Sequence, residues 1–364
     1  MPIVMELNIM HLAKEHRVDK MKKVIITGSQ GFIGSYLCAE FLERGYKVVG
    51  IDNYSKYGLV KRTHDGHPNF SLLKMDICEL NSKKNQLHSS LIDADYIIAN
   101  AAMIGGISYF HKYAYDLLAT NERILASTFD LAIRLYKEHN LKRILVLSSS
   151  MVFENTKQYP TPECEVESCA PPASTYGFQK LASEYFCRGA YEQYKLPYTI
   201  VRPFNCVGIG EEEAIGEEIV MSGNIKMLMS HVLPDLIYKA LHLNSEDSIP
   251  ILGKGNQIRH YTNGRDIARG IRIALESEAA LNEDFNISSP VATSVKELAT
   301  MVWKKIHGTN VKLKNCDPYL YDVQVRSPNV NKAKEILGFE TEVPLEESVD
   351  EVIKWMEEQH GKAN

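Results

Sequence analysis

Tyr176 and Lys180 stand four residues apart in the segment STYGFQKLASEYF. On a helix, that spacing puts both side chains on one face. A free phenol ionises near pH ~10, so a tyrosine is a poor base at neutral pH. A nearby ammonium favours the phenolate. Bringing the pKa to about 7 takes roughly 4 kcal/mol of differential stabilisation, from the lysine and from a positively charged nicotinamide ring if one is bound. The lysine could also bind the ribose of such a cofactor. In isolation, a Tyr/Lys pair at this spacing is also common on helix surfaces. The elements around it decide between the two readings.

A second group of polar side chains precedes the pair. In LSSSMVF, Leu147 to Phe153, three serines stand at the end of an apolar run and a methionine, Met151, follows them. Hydroxyls there could hold a reacting substrate, or they could simply end a strand.

The segment TGSQGFIG, Thr27 to Gly34, carries glycines at 28, 31 and 34, between the apolar stretch KKVIITG and a helical one, GFIGSYLCAEFLERG. Gly28 permits a tight turn, Gly31 lets the backbone approach a pyrophosphate, and Gly34 allows close helix–strand packing. The helix N-terminus, with Phe32 and Ile33, presents free N–H groups to the phosphates. Asp52 ends the next strand, followed by Asn53. A carboxylate there can accept hydrogen bonds from the adenosine ribose and would repel a 2′-phosphate, which favours NAD over NADP. Asp76 and Ile77 follow the third strand; Asp76 either contacts the adenine or is an ordinary strand-end acid.

These residues need a framework. KKVIITG, KVVGID, FSLLKMDI, DYIIANAA, RILVLSS and YTIVRPFN read as six strands, with a long helix over residues 114–138 and another carrying Tyr176. Short apolar strands alternating with helices predict an α/β fold: a Rossmann-type doubly wound parallel sheet covered on both faces, with a smaller C-terminal substrate-binding lobe. The expected division is an N-terminal extension at 1–20, an NAD-binding domain at 21–205, and a substrate lobe at 206–364 that returns some helix and strand to the first domain. The Gly- and Glu-rich stretch CVGIGEEEAIGEEIVMSGNIKM reads as loop, and the tail as mainly helical.

Bulk properties narrow the classes. A net charge of −5 without a basic block argues against nucleic-acid or anionic-membrane partners. No apolar run reaches the ~18 residues of a membrane span, and the N-terminus lacks the layout of a signal peptide. The 7 cysteines form no C-x-x-C pair and no zinc-like spacing, so no metal site is expected and reduced thiols in a cytoplasm are the simple reading.

Taken together, TGSQGFIG, Asp52, SSS, Tyr176-x-x-x-Lys180 and VRPFN resemble the extended short-chain dehydrogenase/reductase family, and within it the NAD-dependent nucleotide-sugar epimerase/dehydratase branch. PDLIYKAL, QIRHYTNGRDIARGI and SPNVNKAKEILGF are similar to that branch's substrate-lobe segments. The resemblance implies Tyr176 as acid/base, Lys180 as ribose ligand and modulator, and Ser149 as the hydroxyl that bonds the reacting group. It implies Ser150 beside the substrate and Ser148 as structural. Asn121 would stand behind the cofactor, with Ala101 and Met103 lining it. Asn205 and Arg259 would contact the nucleotide diphosphate of the substrate, and a homodimer through the two long helices is implied as well.

The sequence also departs from the branch. Ala99-Asn100-Ala101-Ala102 stands where the family usually has His-Leu-Ala-Ala, and PYLY precedes Asp322-Val323 where many members carry a phosphate-gripping arginine. Arg326, just beyond, either substitutes for that arginine or is structural.

Met151 bears on the reaction. In the branch, Tyr176 would take a proton from a sugar hydroxyl, typically at C4, while hydride passes to NAD. The 4,6-dehydratases carry an acid, commonly Glu, two positions after the catalytic Ser/Thr, and 3,5-epimerases a cysteine. A methionine can neither give nor take a proton. The expectation is therefore a 4-epimerase. A dehydratase, decarboxylase or 3,5-epimerase using Cys206, His111 or Glu154 from elsewhere is an alternative, as are a simple reductase and a non-catalytic NAD sensor. Gly105 and Gly106 mark a second loop near the sugar, with Tyr109 and His111 as possible sugar contacts.

Overall fold

The computed structural model describes residues 21–80, 87–105, 112–211, 220–222, 225–227, 231–318 and 322–360. Six strands, β1 (Lys23–Thr27), β2 (Lys47–Asp52), β3 (Phe70–Lys74), β4 (Tyr96–Ala99), β5 (Arg143–Leu147) and β6 (Tyr198–Pro203), are interleaved with α1 (Phe32–Glu43), α2 (Ala114–Glu138) and α3 (Thr175–Tyr194). Then follow β7 (Cys206–Val207), β8 (Val220–Ser222), β9 (Ile225–Met227), α4 (Val232–His242), β10 (Ser248–Leu252), β11 (Ile258–Arg259), β12 (Thr262–Asn263) and α5 (Gly264–Glu276). The chain continues through β13 (Glu283–Ile287), β14 (Thr293–Ser294), α6 (Val295–His307), β15 (Lys312–Cys316), α7 (Asn331–Leu337) and α8 (Leu345–His360).

The central sheet has the order β13-β6-β5-β4-β1-β2-β3, every pair parallel. The strands are apolar along their length because both faces are covered. Val24 and Ile26 of β1 pack with Leu37 and Phe41 of α1 and Ile267 and Ile271 of α5, while Ile25 between them packs with Phe129 and Leu135 of α2 and Cys187 of α3. Chain direction across the sheet reverses between β1 and β4, and at such a switch point the carboxyl ends of the strands open a crevice.

A separate apolar core joins α4, α6 and α8 with β10, centred on Trp303, Leu236 and Ile249. The stretch read as loop holds β7 and an antiparallel pair, β8 and β9, with Val220 opposite Met227. Its Gly- and Glu-rich composition concealed that pairing. β15 also escaped the sequence: KLKNC is polar, and becomes a strand by pairing in parallel with β10. Residues 1–20, Gly106, Tyr109 and His111 lie outside the described residues. Among the described residues, no helix is long and apolar enough to cross a membrane.

Candidate active site

A continuous cleft of about 880 Å³ runs along the carboxyl ends of β1, β2, β4 and β5 and continues between the sheet and the second lobe. The glycine loop forms its floor. Gly28 has φ +70, and a Cβ there would lie 2.9 Å from the Ala101 Cα. A Cβ on Gly34 would fall 1.9 Å from the Gly28 carbonyl oxygen, so only glycine lets α1 pack this close to the turn. A Cβ on Gly31 would meet the Gly28 carbonyl at 3.2 Å and no other atom within 4 Å. Gly31, Phe32 and Ile33 all line the cleft, and the open side of the loop is the one a pyrophosphate would approach.

The acids at the strand ends are held in place. Asp52 Oδ2 accepts from the Gln30 N–H at 2.9 Å and Oδ1 from the Tyr54 N–H at 2.7 Å. Asp76 caps the 3-10 turn that starts at Ile77, accepting from the Cys78 N–H at 2.8 Å, and takes a second bond from Asn53 Nδ2 at 3.1 Å. Carboxylates have about four acceptor sites, so capacity for ribose hydroxyls remains. Asp52, Asn53, Asp76 and Ile77 all line the cleft.

The departure at β4 has a structural role. Asn100 Nδ2 donates to the carbonyls of Thr27 and Gly28, both at 3.1 Å, and Thr27 Oγ1 accepts from the N–H groups of Asn100 at 3.1 Å and Ala101 at 3.0 Å. Asn100 thus ties the end of β4 to the glycine turn. Asn121 is buried and does not line the cleft; its side chain clasps the Met103 backbone, accepting from N–H at 2.6 Å and donating to the carbonyl at 2.9 Å. Ala101 and Met103 do line it.

Tyr176 and Lys180 share the buried face of α3, and Ser149 opposes them from the end of β5. Ser174 caps α3 by accepting from the Gly177 N–H at 3.0 Å, which sets where Tyr176 enters the cleft. Burial pushes the Tyr176 phenol up; a hydrogen bond from Ser149 and the charge of Arg326 oppose it. Lys180 Nζ donates to the Leu147 carbonyl at 2.9 Å, and burial lowers its pKa from 10.5 to about 8. Ser149 also accepts from the Met151 N–H at 3.2 Å, starting a 3-10 turn over Ser150–Phe153. Ser150 and Met151 are buried and line the cleft. Ser148 turns the other way, donating to Glu184 Oε1 at 2.5 Å, and Glu184 pairs with Arg202 at 2.7 Å with neither side chain exposed.

The second lobe contributes polar groups to the opposite wall. Arg259 Nη2 donates to Asp322 Oδ1 at 2.8 Å, and Gln257 Nε2 to Asp322 Oδ2 at 2.9 Å. Asn205 has φ +35, and its buried Nδ2 has no hydrogen-bond partner among the described residues; the same holds for the Tyr261 hydroxyl and for Nε of Arg326. All of these residues line the cleft. The sequence had not singled out Asn100, Gln257 or Tyr261 as functional, and Asp322 served only as a landmark. The place of Asn100 at a strand end, and of Gln257 and Tyr261 within QIRHY, was the available signal.

Two substitute acid/bases can be located. Cys206 lines the cleft, with its thiol pushed up by burial. Glu154 Oε2 accepts from Ser174 N–H at 3.1 Å and Oγ at 2.7 Å, and borders the small pocket behind Met151.

The sequence matches the model of the NAD dependent epimerase/dehydratase family over residues 24–288. UDP-N-acetyl-alpha-D-glucosaminuronate decarboxylase of Bacillus cytotoxicus is 26% identical over 344 residues, 93% of this chain and 98% of that protein. The structure of UDP-glucose 4-epimerase from Thermotoga maritima, solved with UDP-glucose, superposes with a TM-score of 0.74 at 25% identity, covering 93% of this chain and 99% of that one. UDP-glucuronic acid 4-epimerase from Bacillus cereus, solved with UDP-glucuronic acid and NAD, gives a TM-score of 0.74 at 21% identity over 93% of this chain and 100% of that one, a likeness of fold. A family match that runs from the first strand of the central sheet to its last shows what the chain is: an enzyme that uses NAD and belongs to the NAD dependent epimerase/dehydratase family.

Proposed function

We propose that the chain is a nucleotide-sugar 4-epimerase. The observation that carries this reading is Met151: it is buried in one apolar cluster with Tyr176 and Leu117, and it occupies the slot where, by the resemblance, enzymes acting at C5 or C3 carry an acid or a cysteine.

The residues present fit NAD. The glycine loop leaves space on its open side, and Asp52, Asp76, Ala101 and Met103 line the same cleft as Tyr176, so Asp52 and Asp76 would take the ribose and adenine. Gly28, Gly31 and Gly34, with Phe32 and Ile33, would shape the phosphate site, and Asn53 and Ile77 would complete the adenosine end. Asn121 would act through Met103, and Lys180 would bond the nicotinamide ribose. Bound NAD supplies a place where a hydride from the sugar carbon is kept and from which it is returned.

The chain's own residues handle the proton. Ser149 holds the sugar hydroxyl at C4 against Tyr176, whose phenolate takes that proton and later gives it back. Lys180, desolvated beside the ring, favours the phenolate when charged. Turning of the 4-keto sugar between the two transfers inverts C4, and no second base is required. Arg259, oriented by Asp322, would grip the diphosphate with two hydrogen bonds, and Asn205 would offer its unpaired amide. Ser150 would border the sugar.

The same reading includes a homodimer. Tyr115, Phe178 and Tyr185 on α2 and α3 are 77%, 48% and 62% exposed, an apolar surface of the kind that interfaces cover. It also includes a cytoplasmic location, consistent with 7 free thiols. The decisive experiment is a panel of nucleotide sugars in heavy water, followed by NMR and mass spectrometry. An isomer inverted at C4 with no deuterium on carbon is expected. Deuterium at C3 or C5, or loss of water or carbon dioxide, overturns the 4-epimerase reading.

A further inference from the structure

We infer that Arg62 is a positioning residue: it locks the dinucleotide loop to the segment at 208–211 that leads into the second lobe, so that NAD and the nucleotide of the substrate bind cooperatively. The inference rests on the nucleotide-sugar reading above for its second ligand and holds whichever sugar carbon reacts.

Arg62 belongs to the connection at 53–69 between β2 and β3, and it does not itself line the cleft. Its side chain is buried. Nε and Nη2 both donate to the Gln30 carbonyl, at 3.1 and 2.9 Å, while Nη1 donates to the Gly210 carbonyl at 3.1 Å. One rigid guanidinium plane thus holds two backbone segments from different parts of the chain. Gln30 is fixed from its other sides as well. Its N–H donates to Asp52, and its side-chain amide donates to Asp65 Oδ1 at 3.0 Å. Asp65 Oδ2 in turn accepts from the Arg62 N–H at 2.7 Å. The peptide between Gln30 and Gly31 leads directly into α1, so its orientation sets how the first N–H groups of that helix face a pyrophosphate.

Tyr36, on α1, makes a second and independent contact with the same segment. A Cβ on Gly208 would fall 2.3 Å from the Tyr36 hydroxyl oxygen, and one on Gly264 would fall 2.4 Å from its ring. The hydroxyl also hydrogen-bonds the Ile209 backbone. The tyrosine is therefore seated between two glycines that flank the paired strands β7 and β12, next to Asn205. Beyond Gly210 comes Glu211, whose buried carboxylate pairs with His231. His231 starts α4 and lines the second-lobe part of the cleft. From Gln30 to His231, every step is a covalent neighbour or a hydrogen bond.

Moving this segment away from α1 would cost Arg62 a charge-assisted bond in a buried place and would cost Tyr36 its seat. The docked arrangement is thus a discrete state. NAD favours it through the glycine loop, and a nucleotide in the second lobe favours it through the wall at α4. Two ligands that favour one state tighten each other's binding by the same factor.

The test measures that factor. Labelled NAD is exchanged into the holoprotein with and without saturating UDP, GDP, CDP or dTDP, and the same nucleotides are titrated calorimetrically into NAD-loaded and NAD-depleted protein. The nucleotide that binds should tighten NAD at least about fivefold, and NAD should tighten that nucleotide equally. Arg62→Met should bring the factor below about twofold, with Arg62→Lys and Tyr36→Phe between these values. Leu135→Ala truncates the core on the opposite face of the sheet and should keep the factor, because lost stability alone does not uncouple the sites. A full factor in Arg62→Met overturns the inference. If that variant does not fold, an unchanged factor in both Arg62→Lys and Tyr36→Phe overturns it. Equal loss in Leu135→Ala reduces Arg62 to a structural role and overturns it too. A wild type that binds one nucleotide without any change in NAD affinity sinks this inference alone. A wild type that binds none of the four sinks the nucleotide-sugar reading with it.

Discussion

Met151 packs against Tyr176 in a small buried cluster with Leu117, bordered by Met103, Ile104, Tyr113 and Val323. An apolar side chain in contact with the proposed acid/base excludes water from the phenol and offers no proton of its own. If Met151 serves by packing alone, Met151→Leu, a volume-conserving change that costs below ~1.5 kcal/mol, should keep kcat within tenfold and leave the product inverted at C4. NMR of the product checks this. A change in the reacting carbon would show that the thioether does more than fill space.

Tyr176→Phe removes the group that exchanges the proton. General acid–base catalysis contributes about 10²–10⁴-fold, so turnover should fall by at least that much while NAD still binds. Steady-state rates and a cofactor titration measure the two effects separately. Full activity in the variant removes Tyr176 from the mechanism.

Gly34→Ala tests the glycine loop. A Cβ 1.9 Å from the Gly28 carbonyl cannot be accommodated without moving either α1 or the turn. Overpacking of this kind costs roughly 1–3 kcal/mol. NAD affinity should drop along with thermal stability. An unchanged NAD affinity would place the dinucleotide away from this loop.

Glu184→Gln should destabilise the chain strongly, because it leaves the buried Arg202 with only Asp284, at 2.7 Å, as its counter-charge. Breaking a buried pair costs about 3–5 kcal/mol. Ser148, bonded to Glu184 at 2.5 Å, would exchange a charged acceptor for a neutral amide oxygen, which weakens the tie between α3 and the end of β5 carrying Ser149. Urea unfolding gives the stability change, and kcat for the refolded protein reports the loss of positioning.

Lys180 makes stability depend on pH. Burial holds its folded-state pKa at about 8, below the ordinary 10.5. Between these values the unfolded chain binds a proton that the folded NAD-free chain does not, so the stability contribution rises with pH across that window. Below it, the penalty for burying the charge is complete and constant. Urea midpoints compared between wild type and Lys180→Met from pH 8 to 10.5 isolate the effect, and equal slopes would refute it.

Much of the sheet-bearing lobe was legible because its determinants are local. Apolar runs bounded by glycine and acidic residues marked β1 to β6, and α2 spans Ala114–Glu138 as its spacing required. The sequence was less legible where structure depends on a distant partner. KLKNC becomes β15 only against β10, and EDFNI becomes the seventh strand only by pairing with β6. Asn100 looked only like part of a departure from the family's His-Leu-Ala-Ala, yet its two bonds to the glycine turn appear only once β4 and β1 lie side by side.

The sequence by itself determined the fold class, the glycine turn and the shared face of Tyr176 and Lys180, because strand and helix periodicity, glycine conformation and an i,i+4 spacing are properties of neighbours along the chain. The tertiary structure decided which arginine is already paired and which keeps a buried donor unpartnered. Asp322 is 63 residues from Arg259 and accepts its hydrogen bond, while Nε of Arg326, only 4 residues beyond Asp322, has no hydrogen-bond partner among the described residues. Charge neutralisation depends on distance in space, and no spacing along the chain reveals it.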